Sequence, residues 1–88
     1  MPFFVYIVEC ADKTLYTGWT TDITRRLQAH NAGRGAKYTG SRRPVHLVYL
    51  EEVANQSEAL KREYTIKQMR RRTKLKLIHR TFLSSTDQ

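Results

Sequence analysis

A short apolar run near the start of the chain, residues 2–8 (PFFVYIV), constrains the fold more than any other feature. Its aromatic and β-branched residues favour a buried strand, which we predict over residues 3–9. The run is far shorter than the roughly 20 apolar residues of a membrane-spanning helix, and no basic-then-apolar secretory segment precedes it. A chain of 88 residues has room for one small core. We therefore expect a single cytoplasmic domain over residues 1–83, with a frayed tail over residues 84–88.

Turn residues and a second apolar segment follow this strand. Residues 11–14 (ADKT) are typical of a turn, and LYTG after them indicates a second strand, so the two strands form a β-hairpin. A helix comes next, with Thr20 or Thr21 as its N-cap, Asp22 in its first turn and a stop at Gly33.

The remaining segments complete a small mixed fold. Residues 34–43 contain turn residues and basic residues without periodicity, which predicts a basic loop. A strand over residues 45–52 is followed by a helix over residues 57–70, entered through a capping box that Asn55 opens, and a shorter helix begins at Thr73. The order β-β-α-β-α-α predicts an α+β fold, a small antiparallel three-stranded β-sheet flanked by helices.

The charge of the chain is high and unevenly distributed. Sixteen Lys and Arg against eight Asp and Glu give a net charge of +8 and a pI near 10.1. Residues 61–80 contain nine basic residues and one acid, and residues 34–43 contain four basic residues and no acid. Such clusters attract polyanions, so nucleic acid is the leading candidate partner. A membrane surface is not expected, because no basic helix carries Trp or Phe along an apolar side.

Metal-binding patterns of cysteine and histidine are absent from the sequence. The chain has one cysteine, Cys10, and its three histidines show no ligand spacing with it or with one another. A zinc site is therefore not expected. Cys10 lies at a strand end and is expected to be a small buried apolar residue.

Helical spacing places two polar residues beside the core-facing side of the first predicted helix. Arg26 and His30 are four residues apart, and Ile23 lies one turn before Arg26. We therefore expect both polar side chains to lean toward the sheet rather than into solvent.

Glu63 has a similarly unusual environment in the later helix. Ala59 and Ile66 lie one turn on either side of it, which places a carboxylate on an apolar face. An unpaired buried carboxylate costs several kcal/mol. We therefore expect a partner, which is either a metal ion, a hydrogen-bond donor, or a cation such as Arg26 or a neighbouring lysine.

These residues lie in an order that resembles the GIY-YIG nuclease superfamily, over about residues 4–70 and most closely its small stand-alone bacterial members. FVY at residues 4–6 stands where the family has Gly-Ile-Tyr, and YTG at residues 16–18 stands where it has Tyr-Ile-Gly. Each motif is weak alone, but five in the right order are specific. The three single-residue matches, in the family's order, are Arg26, His30 and Glu63.

The resemblance implies a GIY-YIG-like fold and an endonuclease that hydrolyses phosphodiester bonds in DNA, including branched or damaged DNA. It implies one Mg²⁺ or Mn²⁺ ion at Glu63, with most of the coordination shell left to water and phosphate. Arg26 would stabilise the charge of the transition state. Tyr16 would be the general base or its relay, assisted by Tyr6 and His30. Because a tyrosine ordinarily has a pKa near 10, this role requires nearby cations.

The sequence also departs from the family pattern. Phe4 replaces a glycine, Thr17 replaces an isoleucine, and no residue near the C-terminus matches the asparagine that some members use. No second domain of the kind that gives larger relatives their target sequence is expected. The alternative is a non-catalytic or partner-dependent nucleic-acid-binding module, with a protein partner that supplies specificity. The sequence does not decide between DNA and RNA.

Nucleic-acid contacts are expected from the basic residues around these motifs and from one tyrosine. Tyr38, within the basic loop, either stacks on a base or is an ordinary surface aromatic, whereas Trp19 is expected to pack in the core. The expected contact residues are Arg25, Arg34, Lys37, Tyr38, Arg42, Arg43, Lys67, Arg70 and Arg71.

The relative orientation of the two motif tyrosines is open in the sequence. Tyr6 and Tyr16 are ten residues apart, and a two- or four-residue hairpin turn would place them on opposite faces of the sheet. A three-residue turn or a bulge would place them on one face. The resemblance implies one face.

Overall fold

The computed structural model describes residues 1–86, with side chains over residues 1–80. The predicted tail, residues 84–88, therefore lies partly outside the described residues. No helix of the described part combines the length and apolar character that crossing a bilayer requires. The elements are β1 (Phe3–Glu9), β2 (Leu15–Thr20), α1 (Ile23–Asn31), α2 (Lys37–Gly40), β3 (His46–Val53), α3 (Gln56–Gln68) and α4 (Arg71–Thr86).

The three strands form one antiparallel sheet in the order β2-β1-β3. This confirms the predicted α+β fold. The central strand β1 is buried on both faces, because four consecutive side chains have no exposed surface. They are Val5, Tyr6, Ile7 and Val8.

The hairpin between β1 and β2 has an odd-length loop, which sets the orientation of the tyrosines. The backbone N–H of Cys10 donates to the carbonyl of Thr14 at 2.9 Å, which closes a three-residue loop in which Lys13 has φ 71°. A left-handed residue at the last position is usual in a three-residue hairpin loop. The register pairs Tyr6 with Gly18 and Val8 with Tyr16. Because opposite residues share a face and side chains alternate, the two tyrosines lie on one face, as expected.

Each face of the sheet carries its own apolar cluster. On the face of the even-numbered β1 residues, α1 packs through Ile23 and Leu27. On the other face, α3 packs through Ala59 and Ile66, with Trp19 beside them. The expected burial of Cys10, which is 2% exposed, and the expected packing of Trp19 are both confirmed. The buried members of the two clusters are Tyr6, Val8, Cys10 and Val45 on the α1 side, and Val5, Ile7, Tyr49, Ala59 and Ile66 on the α3 side.

The first helix begins differently from the prediction. Asp22, not Thr20 or Thr21, is the N-cap, because its Oδ1 accepts a hydrogen bond from the backbone N–H of Arg25 at 3.1 Å. The Thr20 hydroxyl instead accepts from the backbone N–H of Asp22 at 3.1 Å. Asn55 caps α3 as predicted, with its Oδ1 accepting from the N–H of Glu58 at 2.9 Å.

Two other segments also differ from the prediction. The predicted basic loop contains a single helical turn, α2, and one turn is too short to leave an apolar period in the sequence. The last helix begins at Arg71, two residues before the predicted Thr73. Such shifts at helix ends are small, whereas α2 matters because it brings a buried side chain to the site described next.

Candidate active site

Tyr6, His30 and Arg26 form a hydrogen-bonded group between β1 and α1. Tyr6 Oη lies 2.8 Å from His30 Nε2, and Arg26 Nε donates to the same Oη at 3.3 Å. Arg26 Nη2 also donates to the carbonyl of Gly35 at 2.7 Å. Tyr6 and His30 are fully buried, whereas Arg26 is half-buried. The expectation that Arg26 and His30 lean toward the sheet is confirmed, and only the arginine of this group is open to a substrate.

Two glycines leave the space that this group occupies. A Cβ atom at Gly18 would lie 2.5 Å from Tyr6 Oη, because the tyrosine ring crosses directly over the opposite residue of β2. A Cβ atom at Gly35 would overlap the ring and backbone of His30. The glycine of the YTG motif is thus required by the tyrosine of the first motif.

Tyr16 lies beside this group but is partly exposed. Its ring meets the edge of the His30 ring at a centroid distance of 5.4 Å and stacks against Tyr38 at 6.0 Å, with 22° between the ring planes. The Lys67 ammonium lies 5.8 Å from the centroid of the Tyr16 ring. Of the two motif tyrosines, Tyr16 is therefore the one that solvent and substrate reach.

Glu63 joins the site from α3 through a lysine. Its side chain is 19% exposed, and its carboxylate lies 3.7 Å from the Lys67 ammonium that also approaches the Tyr16 ring. The predicted pairing with a neighbouring lysine is therefore present, and the pairing with Arg26 is not. Glu63 and Tyr16 flank the same ammonium group, which brings residues of α3 and β2 to one place.

The donor set around Glu63 fits Mg²⁺ or Mn²⁺ bound mainly by water. No group of three or more His, Cys, Asp or Glu able to hold a metal ion occurs among the described residues. A single partly exposed carboxylate suits a hard ion that keeps most of its water and takes its other ligands from phosphate oxygens. A metal ion bound there would compete with the Lys67 ammonium for the same carboxylate.

The buried part of the site has shifted acid–base properties. Burial raises the pKa of Tyr6, the Arg26 hydrogen bond and charge oppose this, and the nearby Tyr16 and Glu63 charges add to the rise. Burial lowers the pKa of His30, and the Arg26 charge lowers it further. At neutral pH, Tyr6 therefore keeps its proton and His30 is uncharged. The influence of Glu63 on Tyr6 agrees with their position in one site.

These shifts predict how stability depends on pH. Below pH 6.5, the ordinary pKa of histidine, the unfolded chain takes up a proton at His30 before the folded chain does, so stability falls as pH decreases. Above pH 10, the unfolded chain loses the Tyr6 proton first, so stability falls again. We expect a plateau between these values in urea unfolding midpoints measured from pH 5 to 11. His30→Gln should remove most of the decline between pH 6.5 and 5, whereas the exposed His46→Gln should keep it. A His30→Gln curve parallel to that of wild type would contradict this explanation.

The predicted nucleic-acid contacts are mostly exposed, and some of them lie beside the site. Arg25 lines a cleft of about 580 Å³ together with Arg26, and Tyr38 and Lys67 flank Tyr16. Arg42 is already occupied: its Nε donates to Asp12 Oδ2 at 3.0 Å, and its guanidinium lies 4.0 Å from the Tyr38 ring centroid. The exposed cations of the predicted set are Arg25, Arg34, Lys37, Arg43, Lys67, Arg70 and Arg71.

The sequence interpretation missed two residues near the site. Thr39 of α2 is fully buried, and its Oγ1 lies 2.8 Å from His30 Nδ1. Lys74 of α4 is half-buried, and its pKa is lowered by burial and by the neighbouring charge of Lys67. Within the described residues Lys74 pairs with no carboxylate. The basic run contained Lys74, but nothing in the sequence separated it from its exposed neighbours.

Known proteins match this chain over most of its length. A family model described as the GIY-YIG catalytic domain matches residues 2–76. A UPF0213 protein of Syntrophus aciditrophicus is 64% identical over 76 residues, or 85% of this chain and 87% of that protein. A UPF0213 protein of Staphylococcus aureus is 60% identical over 75 residues, or 85% and 92% of the two chains.

Two solution NMR structures share the fold. A UPF0213 protein of Bacillus halodurans has a TM-score of 0.59 at 44% identity and covers 90% of this chain and 84% of its own. A protein of E. faecalis has a TM-score of 0.65 at 38% identity and covers 94% and 88% of the two chains. Both likenesses confirm the α+β arrangement.

Proposed function

The chain belongs to the GIY-YIG catalytic-domain family, and we propose that it is a metal-dependent endonuclease that hydrolyses phosphodiester bonds in DNA. The anchoring of Arg26 is the observation that carries this proposal. Its guanidinium is fixed by the buried Tyr6 hydroxyl and by the Gly35 carbonyl, yet the side chain remains half-exposed and lines a cleft together with Arg25. A fixed, permanently charged donor at a surface suits stabilisation of the charge that develops on a phosphate during attack.

Tyr16 is the residue we assign to activation of the attacking water. Its hydroxyl belongs to a partly exposed ring, and the Lys67 ammonium lies 5.8 Å from the ring centroid. The ring therefore stands where the attacking water and a bound phosphate can reach it, as a residue that accepts a proton from that water must. Tyr6 and His30 are buried and act through Arg26 rather than on the substrate.

Glu63 is the residue we assign to metal binding. When bound, Mg²⁺ or Mn²⁺ would supply Lewis-acid stabilisation of the phosphate and of the leaving oxygen. The Lys67 ammonium, released from the carboxylate, would then be free to pair with a neighbouring phosphate of the bound strand.

The basic surface around the site supports nucleic acid as the substrate class. Arg25 extends it along the cleft that contains Arg26, and the exposed Tyr38 lies against Tyr16, where it is available to a base next to the cleaved phosphate. We propose branched or damaged DNA as the preferred form, with a protein partner supplying target choice.

Removing the Tyr16 hydroxyl tests this assignment. Tyr16→Phe should lower the rate of plasmid nicking about 100-fold, since loss of a general base commonly costs this much, while DNA affinity measured in EDTA stays unchanged. The assay follows conversion of supercoiled to open-circular plasmid with Mg²⁺, with Mn²⁺ and with EDTA, beside a branched duplex and an RNA of the same sequence. Tyr64→Phe is the matched control, because Tyr64 is 67% exposed on α3.

Two results would count against the proposal. Nicking that persists in EDTA would remove the metal requirement, and nicking that is equal in Tyr16→Phe and wild type would remove Tyr16 as the base. A wild-type protein that binds DNA but cuts none of these substrates would favour the alternative of a partner-dependent binding module.

A further inference from the structure

Thr39 is the buried end of a chain of hydrogen bonds that leads to Arg26. Its hydroxyl donates to the carbonyl of Ala36 at 3.2 Å. A hydroxyl has one proton, and a carbonyl can only accept, so the proton of Thr39 is committed to Ala36. Toward His30 Nδ1, 2.8 Å away, Thr39 therefore offers only a lone pair. On this assignment, the proton between these two atoms belongs to His30.

This arrangement determines the tautomer of a neutral histidine. With the proton on Nδ1, the other nitrogen of His30 is an acceptor, and Tyr6 Oη, 2.8 Å away, donates to it. The lone pairs of Tyr6 Oη then remain available to the Nε–H of Arg26 at 3.3 Å. Each donor in this series of hydrogen bonds then has one acceptor: Arg26 donates to Tyr6, Tyr6 to His30, His30 to Thr39, and Thr39 to the carbonyl of Ala36.

The opposite tautomer fails this test. If His30 carried its proton on Nε2, Tyr6 Oη would receive protons from both His30 and Arg26. The phenolic proton itself would then have no acceptor among the described contacts of a fully buried side chain. A buried donor without a partner is strongly disfavoured.

We propose that Thr39 is a positioning residue that sets the proton of His30 on Nδ1 and, through Tyr6, fixes the orientation of the Arg26 guanidinium. Thr39 touches neither the substrate cleft nor Arg26 and acts only through His30 and Tyr6. The effect on cleavage rests on the proposed nuclease function, whereas the effect on the histidine does not. The segment predicted as a basic loop, residues 34–43, therefore also contributes a buried residue that contacts His30.

Nitrogen-15 NMR of the His30 ring tests the proposal in the protein without DNA or metal. Wild type should show a protonated Nδ1 and a bare Nε2. Thr39→Ser, which keeps the hydroxyl, should show the same pattern. Thr39→Val, which keeps the shape but leaves the Nδ1 proton without an acceptor, should add a measurable population of the ring protonated on Nε2. Thr65→Val is the matched control, because the Thr65 hydroxyl also donates to a backbone carbonyl, that of Lys61 at 3.0 Å, but on the exposed side of α3.

Cleavage kinetics provide the second measurement. Thr39→Val should lower the turnover number for plasmid nicking about 10- to 100-fold, the range seen when a group that orients a functional histidine is removed, with KM unchanged. Thr39→Ser should restore most of the rate. A wild-type His30 protonated on Nε2, or a Thr39→Val protein with the wild-type ring pattern, would overturn the proposal.

Failure of the proposed function would be distinguishable from failure of this inference. If wild type cuts no substrate, the nuclease assignment fails, while the ring spectra still decide the role of Thr39. If Thr39→Val does not fold, the spectra of wild type and Thr39→Ser decide it, since Nε2 protonation in either protein contradicts the chain of donors described above.

Discussion

Glu63→Gln is expected to reduce plasmid nicking by about 10³-fold, the scale found when a group that handles transition-state charge is removed. The amide keeps the size of the side chain but removes the negative charge that would hold a divalent cation. Isothermal titration with Mn²⁺ should therefore show loss of binding in the variant. In EDTA, DNA affinity should not fall, because Lys67 loses its carboxylate partner at 3.7 Å and becomes free to pair with phosphate.

Glu58→Gln is the matched control for this experiment. Glu58 lies on the same helix and also pairs with a lysine, Lys61, at 3.9 Å, but both side chains are largely exposed. Nicking and Mn²⁺ binding should match wild type. A Glu63→Gln protein that nicks DNA as fast as Glu58→Gln would leave Glu63 as an ion-pair partner of Lys67 and nothing more.

The second large effect is expected from one added methyl group at Gly18. The new Cβ would lie 2.5 Å from Tyr6 Oη and 2.8 Å from Cζ of the same ring. Tyr6 is fully buried and bonded to His30 and Arg26, so its ring cannot turn aside without breaking those bonds. We expect Gly18→Ala to lower the free energy of unfolding by about 3 kcal/mol, from overpacking and from buried groups left without partners. Urea denaturation measures this directly.

Gly40→Ala separates this steric effect from a general cost of replacing glycine. A Cβ atom at Gly40 would meet only the carbonyl oxygen of Gly33 at 3.9 Å, an ordinary contact distance. Its stability should equal or slightly exceed that of wild type, because alanine restricts the unfolded chain. Equal stability of Gly18→Ala and wild type would show that the Tyr6 ring is not held where its hydrogen bonds indicate. Nicking by Gly18→Ala should also fall, because Arg26 loses its contact with the Tyr6 hydroxyl, one of its two anchors.

The fold was largely predictable because its main signals are local. The apolar run around Tyr6 and the turn after Cys10 each determine structure within a few residues. The start of α1 was less predictable, since Thr20, Thr21 and Asp22 are three adjacent residues that all favour N-cap positions. Only the hydrogen bond from Arg25 to Asp22 distinguishes them.

The candidate site was predictable in its members but not in their contacts. Helical spacing correctly predicted that Arg26 and His30 lean toward the sheet. It did not decide whether the partner of Glu63 is a metal ion, a hydrogen-bond donor or a cation, and the structure pairs Glu63 with Lys67. Thr39 carried no signal, because its burial depends on a close approach between α2 and α1 that no short-range pattern encodes. Gly35 permits that approach, yet in the sequence it is one of several turn residues.

The length of the three-residue hairpin loop limits which insertions and deletions such a protein can tolerate during evolution. Because side chains alternate along a strand, the parity of the connection decides whether Tyr16 shares a side of the sheet with Tyr6. Gaining or losing a single residue between Cys10 and Thr14 would turn the second tyrosine away from Arg26 unless a compensating bulge arose. Lengthening the loop by two residues keeps the alignment, so the hairpin can be extended at its tip without changing the geometry of the candidate site.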